Sequence, residues 1–305
     1  MVKYKHVVTP EEEGLTIKQI LKHNYRFSSR FYTKIKFQEL LDLNGELAKG
    51  YWKPLPGDLI EIRLPEEKSD YEPEDIPVYP LYEDDDLLII NKQAGITVHP
   101  TKGHPFHTVA NAVTKYMQDT GQTFKVRFAN RIDMDTSGIV IIAKNANAQN
   151  HISSQMRSRH VDKRYLAIVC GNIEEDHFLI DAPIGRPYEG AIQREVLAEG
   201  GKEAKTEFTV LERFDDYTLV EAKLHTGRTH QIRVHLTHIG HPIAGDHLYG
   251  GDAPDLIQRQ ALHAAHIAFR HPMTEEILEV DAPLHEDMEH ALALLRSSSA
   301  QAKSL

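Results

Sequence analysis

The sequence predicts an α+β chain in two units, a small N-terminal module followed by a larger domain. Three observations carry this. Short runs rich in β-branched residues, such as Ile139–Ala143, stand between turn-forming residues and read as strands. Apolar residues recurring three and four apart, as in Val109, Ala112, Val113, Tyr116 and Met117, read as helices. Residues 65–80 interrupt both patterns with Pro65, Pro73, Pro77, Pro80 and a run of acids, the composition of an extended linker that does not pack tightly. The expected division is 1–66, 67–80 for the linker, 81–290 for the large domain and 291–305 as a fraying helix and polar tail.

In the module, Ile17, Ile20 and Leu21 share one face of a short helix, and a second begins near Ser28-Ser29 with Ile35 and Leu40 facing in. Asn44-Gly45 is a hairpin turn, and Pro56-Gly57-Asp58 turns the chain into the alternating strand Leu59–Leu64. Residues 15–37 carry six Lys/Arg and no acid, interleaved with Tyr25, Phe27, Phe31 and Tyr32. These rings either stack on nucleic-acid bases or fill the module core.

In the large domain, residues 81–92 give a turn and a strand, and a helix starts near Thr108. Residues 145–160 form a helix ending in Arg157-Ser158-Arg159-His160, and Val161–Gly171 is a strand with Lys163, Tyr165 and Ala167 on one face. Gly200-Gly201 marks a hairpin or loop, and residues 218–224 and 276–280 are further strands. Residues 226–240 read as a helix with Ile232, Leu236 and Ile239 inward, Gly240 at C′ and Pro242 as the stop. Its start, Thr226–Thr229, would offer free N–H groups and a positive dipole to an RNA phosphate. Arg233 lies off the apolar stripe with His230 and Thr237.

Composition narrows the function. The chain has 41% hydrophobic and 26% charged residues and one cysteine, so neither a disulfide nor a four-cysteine metal site fits, and a reducing, cytoplasmic setting is expected. No apolar run approaches the roughly 20 residues of a membrane span, and no signal-peptide core opens the chain. The net charge of −10 is concentrated: residues 65–86 hold ten acids and one lysine. What remains is close to neutral, which leaves the basic stretch 15–37 free to meet RNA. Nineteen histidines invite a metal, but 225, 230, 235, 238, 241 and 247 lack metal-ligand spacing. No phosphate-cradling loop, dinucleotide fingerprint or nucleophile elbow is present.

The most informative stretch is Asn130-Arg131-Ile132-Asp133-Met134-Asp135-Thr136-Ser137-Gly138, a charged loop at the mouth of a strand. Either aspartate could be a rigid, reachable carboxylate, and both could simply shape the turn. This loop resembles the His-Arg-Leu-Asp-x-x-Thr-Ser-Gly loop of the RluA family of pseudouridine synthases, large-subunit rRNA type. Further motifs follow in the family's order: Asn91-Lys92-x-Ala94-Gly95, Val98-His99-Pro100, Lys163-x-Tyr165, Thr226–Leu236, Gly240–Asp246, Tyr249-Gly250 and Leu262-His263-Ala264. They cover about residues 81–285. The module resembles, more loosely, the αL RNA-binding module of a small-subunit ribosomal protein.

The resemblance implies a catalytic domain on a mixed, mostly antiparallel sheet with flanking helices, acting as a monomer on rRNA or tRNA with no cofactor and no metal. It implies Asp133, not Asp135, as the catalytic aspartate, Tyr165 against the target base and Arg233 paired with the aspartate. Arg131 would approach the RNA beside a flipped uridine, with Lys163, Thr226, Gly227, Arg228 and His230 as further RNA contacts. Asn130 and Gln93 depart from the family's histidine and proline, which bears on loop shape and target. A non-catalytic RNA-binding protein and a metal hydrolase are the competing readings. The first has no use for the Asp133, Tyr165, Arg233 trio, and the second lacks the histidine spacing.

Overall fold

A computed structural model describes residues 2–302 apart from Arg26, Ser28, Pro65, Glu66 and Lys102. The expected helix start at Ser28 and linker start near 66 therefore fall partly outside the described residues.

The module contains β1 (Val2–Val7), α1 (Ile17–Tyr25), α2 (Ser29–Phe37), β2 (Leu41–Leu43), β3 (Glu46–Leu47) and β4 (Leu59–Arg63). Its sheet runs β1-β4-β2-β3, all antiparallel. Asn44 and Gly45 both take positive φ, 53° and 85°, as a two-residue hairpin turn requires. Strand β1 was not expected from the sequence. Phe27 and Phe31 are buried with Ile17, Ile20 and Leu21, and Tyr25 stacks on Phe27. These rings fill the core rather than offering platforms to bases.

The large domain contains β5 (Pro80–Glu83), β6 (Leu87–Lys92), α3 (Val109–Asp119), β7 (Arg127–Phe128), β8 (Ser137–Ala143), α4 (Ala146–Arg157), β9 (Asp162–Cys170) and β10 (His177–Asp181). It continues with β11 (Ile184–Gly185), β12 (Glu195–Val196), β13 (Lys205–Arg213), β14 (Tyr217–Leu224), α5 (Gln231–His238), β15 (Leu262–Arg270), β16 (Ile277–Asp281) and α6 (Glu286–Ala302). Ten strands form one sheet in the order β10-β13-β14-β9-β15-β8-β6-β5, with β16 on β15 and β7 on β8. The expected mixed, mostly antiparallel sheet is present: β15 and β8 pair in parallel, and the other ladders are antiparallel.

Strand β8 is buried along its whole length. An all-apolar run suits a strand covered on both faces. Ala148 and Ile152 of α4 cover one face, and Val109, Ala110 and Val113 of α3 the other. Gly138 makes the parallel pairing possible. Its φ is +109°, and a Cβ there would lie 2.3 Å from the Ala264 carbonyl oxygen. Only glycine tolerates both.

Two expectations are corrected. Residues 67–80 are extended, but they pack. Tyr71 and Val78 join the α3 core, Val126 N–H donates to Ser69 Oγ (2.7 Å), and Asn111 Nδ2 donates to the Glu72 carbonyl (2.8 Å). Glu67 pairs with both Lys34 of the module and Arg127 of the large domain. Residues 291–302 are helical as expected, but their start is docked rather than fraying. They continue α6, whose Met288, Ala291 and Leu292 are buried against the sheet.

Candidate active site

The loop between β7 and β8 is fastened along its length. Ala129 N–H donates to the Ile141 carbonyl (2.9 Å), and the Asn130 side chain extends this ladder. Its Nδ2 donates to Ile139 O (3.0 Å) and its Oδ1 accepts from Ile141 N–H (2.8 Å). The asparagine thus acts as a surrogate peptide group along β8. Further on, the fully buried Lys92 donates from Nζ to the carbonyls of Met134, Gln93 and Ile96 at 2.8, 2.8 and 2.9 Å. Arg259 Nη1 donates to the Asp135 carbonyl (2.9 Å), and Asp287 of α6 holds Arg259 through two bonds of 2.7 Å. The backbone on the C-terminal side of Asp133 is therefore pinned by two buried basic side chains.

Asp133 reaches Arg233 across this frame. Arg233 Nη1 donates to Asp133 Oδ2 (3.0 Å), while Nε and Nη2 form a fork on Asp246 (2.7 and 2.8 Å). Asp246 is 1% exposed, and the Arg233 guanidinium lies 4.9 Å from the Tyr249 ring centroid. Burial alone would lower the basicity of Arg233, but Asp246 and then Asp133 push it further up, so its charge is permanent. His230 Nε2 is 3.9 Å from Asp133 Oδ2. Burial, with Arg233 and Arg194 nearby, keeps its imidazole below the ordinary range despite the pull of Asp133. His230 is a neutral, polar wall.

These groups line a cleft of about 750 Å³. Its walls are the Asp133 loop, Lys163 and Tyr165 of β9, Arg157 and Arg159 at the end of α4, and residues 226–233. Burial and then Asp133 push the Tyr165 phenol upward, so it is neutral, and its hydroxyl makes no hydrogen bond among the described residues. Arg131, Arg157 and Lys163 likewise have no ion-pair partner among the described residues, and burial lowers the pKa of Lys163. Asp133 lines the cleft and Asp135 does not, which separates the two aspartates that the sequence left in competition.

The helix expected from Thr226 begins five residues later, at Gln231, after His230 in a left-handed conformation (φ 59°). The Gln231 side chain explains the delay. Its Oε1 accepts from Arg228 N–H (2.9 Å) and from Thr226 Oγ1 (2.8 Å), and Thr226 Oγ1 accepts from Lys205 N–H (2.8 Å). The N–H of Arg228 is thus capped internally, and Thr226 is buried. Arg228 remains exposed, its Nε on the Glu203 carbonyl (2.8 Å). Sequence reasoning gave no role to Lys92, Asp246, Tyr249, Arg157 or Arg159, though it placed them in motifs or at a helix end, and it did not name Arg259. Of these, Asp246 and Lys92 carried a readable signal, as charged residues inside otherwise apolar stretches. Among the described residues no three His, Cys, Asp or Glu side chains converge as a metal site would require.

Lys92 gives a pH prediction. Burial pushes its pKa down to about 7, against about 10.4 in an unfolded chain. Between these values the unfolded state binds the extra proton, so the stability tied to this residue rises with pH from about 7 to about 10. Lys92→Met leaves the Gln93 and Ile96 carbonyls without a donor, Met134 O keeping only its bond from Gly95 N–H, and is expected to cost about 2–4 kcal/mol. The gap from the parent should be wider at about pH 9 than at about pH 6 in urea titrations. A gap that narrows would contradict the assignment.

Comparison with known proteins is consistent along the chain. Residues 86–238 match the RNA pseudouridylate synthase family model. A Bacillus subtilis relative named an uncharacterized RNA pseudouridine synthase, YlyB, is 42% identical over 84% of this chain and 86% of its own length. The ribosomal large subunit pseudouridine synthase D of Nitrosomonas europaea is 38% identical over 85% of this chain and 78% of its own. The solved structure of human RNA pseudouridylate synthase domain containing 1 superimposes with a TM-score of 0.56 at 27% identity, covering 72% of this chain and 95% of that one.

Proposed function

Since the chain belongs to the RNA pseudouridylate synthase family and is an RNA-modifying isomerase, we propose that it converts particular uridines of folded large-subunit rRNA, with Asp133 as the nucleophile. The observation that carries this reading is Asp133 on a pinned loop, bonded to a permanently charged arginine, in a cleft with unpaired cations around it. A uridine leaves its stack to enter the cleft. The Tyr165 ring supports the base, and Arg233 orients the carboxylate. Asp133 attacks either the ribosyl carbon or the uracil ring. In both routes the N1–C1′ bond breaks, the base turns and a C5–C1′ bond forms, the Asp133 oxygen leaving the carbon it attacked with its electron pair, while C5 loses a proton and N1 gains one. Atoms and electrons balance without a cofactor.

Arg131, Arg157, Lys163 and Arg228 are exposed or open to the cleft and suit phosphates, while His230 and Gly227 shape its wall. The module contributes affinity and target choice through its lysines. Among the described residues no helix is long and apolar enough to cross a membrane.

The test incubates the protein with unmodified rRNA and tRNA transcripts and maps pseudouridine. New pseudouridine at discrete large-subunit positions is expected. Sites in tRNA alone would move the target, and none in either RNA would favour an RNA-binding protein that keeps the fold.

A further inference from the structure

Between β11 and β12 the chain turns through residues 186–194 with an inverted burial pattern. Ala191 is 4% exposed, whereas Ile192 beside it is 75% and Tyr188 71% exposed. Two large apolar side chains, four residues apart, thus stand exposed on one short loop. The loop is also braced. Arg194 Nη1 donates to three successive carbonyls, those of Ala191, Ile192 and Gln193, at 2.7, 2.8 and 2.9 Å. Gln193 Nε2 donates to Leu248 O (2.6 Å), and Arg194 N–H donates to the Tyr249 hydroxyl (2.8 Å). That hydroxyl meets His230 Nδ1 at 2.9 Å, and the Tyr249 ring faces Arg233. The brace therefore ends on the wall of the Asp133 cleft.

We propose that Tyr188 and Ile192 form a wedge that enters the RNA stack as the target uridine swings into the cleft. The inference rests on the reading that Asp133 acts on a flipped-out uridine. Extruding a nucleotide leaves a gap between its neighbours and costs their stacking energy. An aromatic ring and a branched aliphatic chain can fill that gap and restore part of the stacking. A rigid loop suits this task, because a mobile one would lose entropy on insertion. RNA is the occupant that fits, since the loop is tied through Tyr249 to His230 on the wall of the cleft that receives it, and Arg186 at its start is exposed.

The test uses the full chain and a short stem-loop around a uridine already mapped as modified. One RNA is intact, and in the other an abasic site opposite the target leaves the uridine unpaired and easier to extrude. The double variant Tyr188→Ser, Ile192→Ser, checked for an unchanged melting temperature, is expected to lose about tenfold to a hundredfold in kcat/KM on the intact RNA. On the abasic RNA it should come within about threefold of the parent. Equal losses on both RNAs, or no loss on the intact one, overturn the wedge. A fluorescent purine analogue next to the target reports unstacking without turnover. In an Asp133→Asn background the native loop should brighten it on binding and the double variant should not. That rise in a protein with no turnover counts for the wedge even where the Asp133 chemistry fails, and its absence counts against the wedge.

Discussion

Asp133→Asn is expected to abolish pseudouridine formation, with a loss on the order of 10⁴-fold or more, the range seen when a nucleophile is removed. The substitution is nearly isosteric. Its remaining oxygen can still accept from Arg233 Nη1, and Arg233 keeps both bonds to Asp246, so the melting temperature should barely move. What disappears is the anionic oxygen to which the proposed attack is assigned. Asp135→Asn is the control in the same loop. The Asp135 side chain does not line the cleft, and the loop is held there through the Asp135 carbonyl, which the substitution leaves in place. A change of no more than about threefold is expected. Single-turnover assays on a transcript with a mapped site would separate the two, and an active Asp133→Asn protein would sink the assignment.

Arg233→Lys is expected to damage stability and turnover together. One guanidinium serves two carboxylates in different directions, with Nε and Nη2 on Asp246 and Nη1 on Asp133. An ammonium has no fixed fork and cannot span both. Asp246, at 1% exposure, would then keep at most a partial partner, and breaking a buried pair costs about 3–5 kcal/mol. Asp133 would lose its orientation, with kcat expected to fall about a hundredfold while KM changes little. Asp246→Asn should share the stability loss. Urea titration with a kcat and KM split decides: a stable Arg233→Lys protein whose KM alone rises would make Arg233 an RNA contact.

The fold was legible wherever local chemistry agrees with tertiary demand. The Asp-Thr-Ser-Gly turn, the β-branched run after it, the Thr108 cap and the Asn44-Gly45 hairpin all behave as their residues suggest. The start of α5 was not, because Gln231 caps the preceding backbone with its own side chain and His230 takes a left-handed turn that no glycine announces. Nor was the packing of 67–80: its acids mark a solvated linker, yet Ser69, Tyr71, Glu72 and Val78 meet the α3 layer. In the site, Asp133 and Arg233 came from a motif resemblance. Asp246, Lys92 and Arg259 act through partners 13 to 124 residues away; a local window can mark the first two as charged residues within motifs, but not whom they pair with.

The parallel seam between β8 and β15 has a consequence for biosynthesis. Ser137 Oγ and His263 Nδ1 meet across 126 residues of chain, and the Asp135 carbonyl waits on Arg259, which waits in turn on Asp287 of α6. At the usual pace of translation, about 5–20 residues per second, roughly 6–25 s separate the emergence of Ser137 and His263 from the ribosome. During that interval the Asp133 loop has Lys92 and the β8 ladder but lacks Arg259, and at first Arg233 as well. Contacts this distant in sequence also form late in folding. A chain still being synthesised should therefore lack the complete cleft until α6 docks and Asp287 holds Arg259.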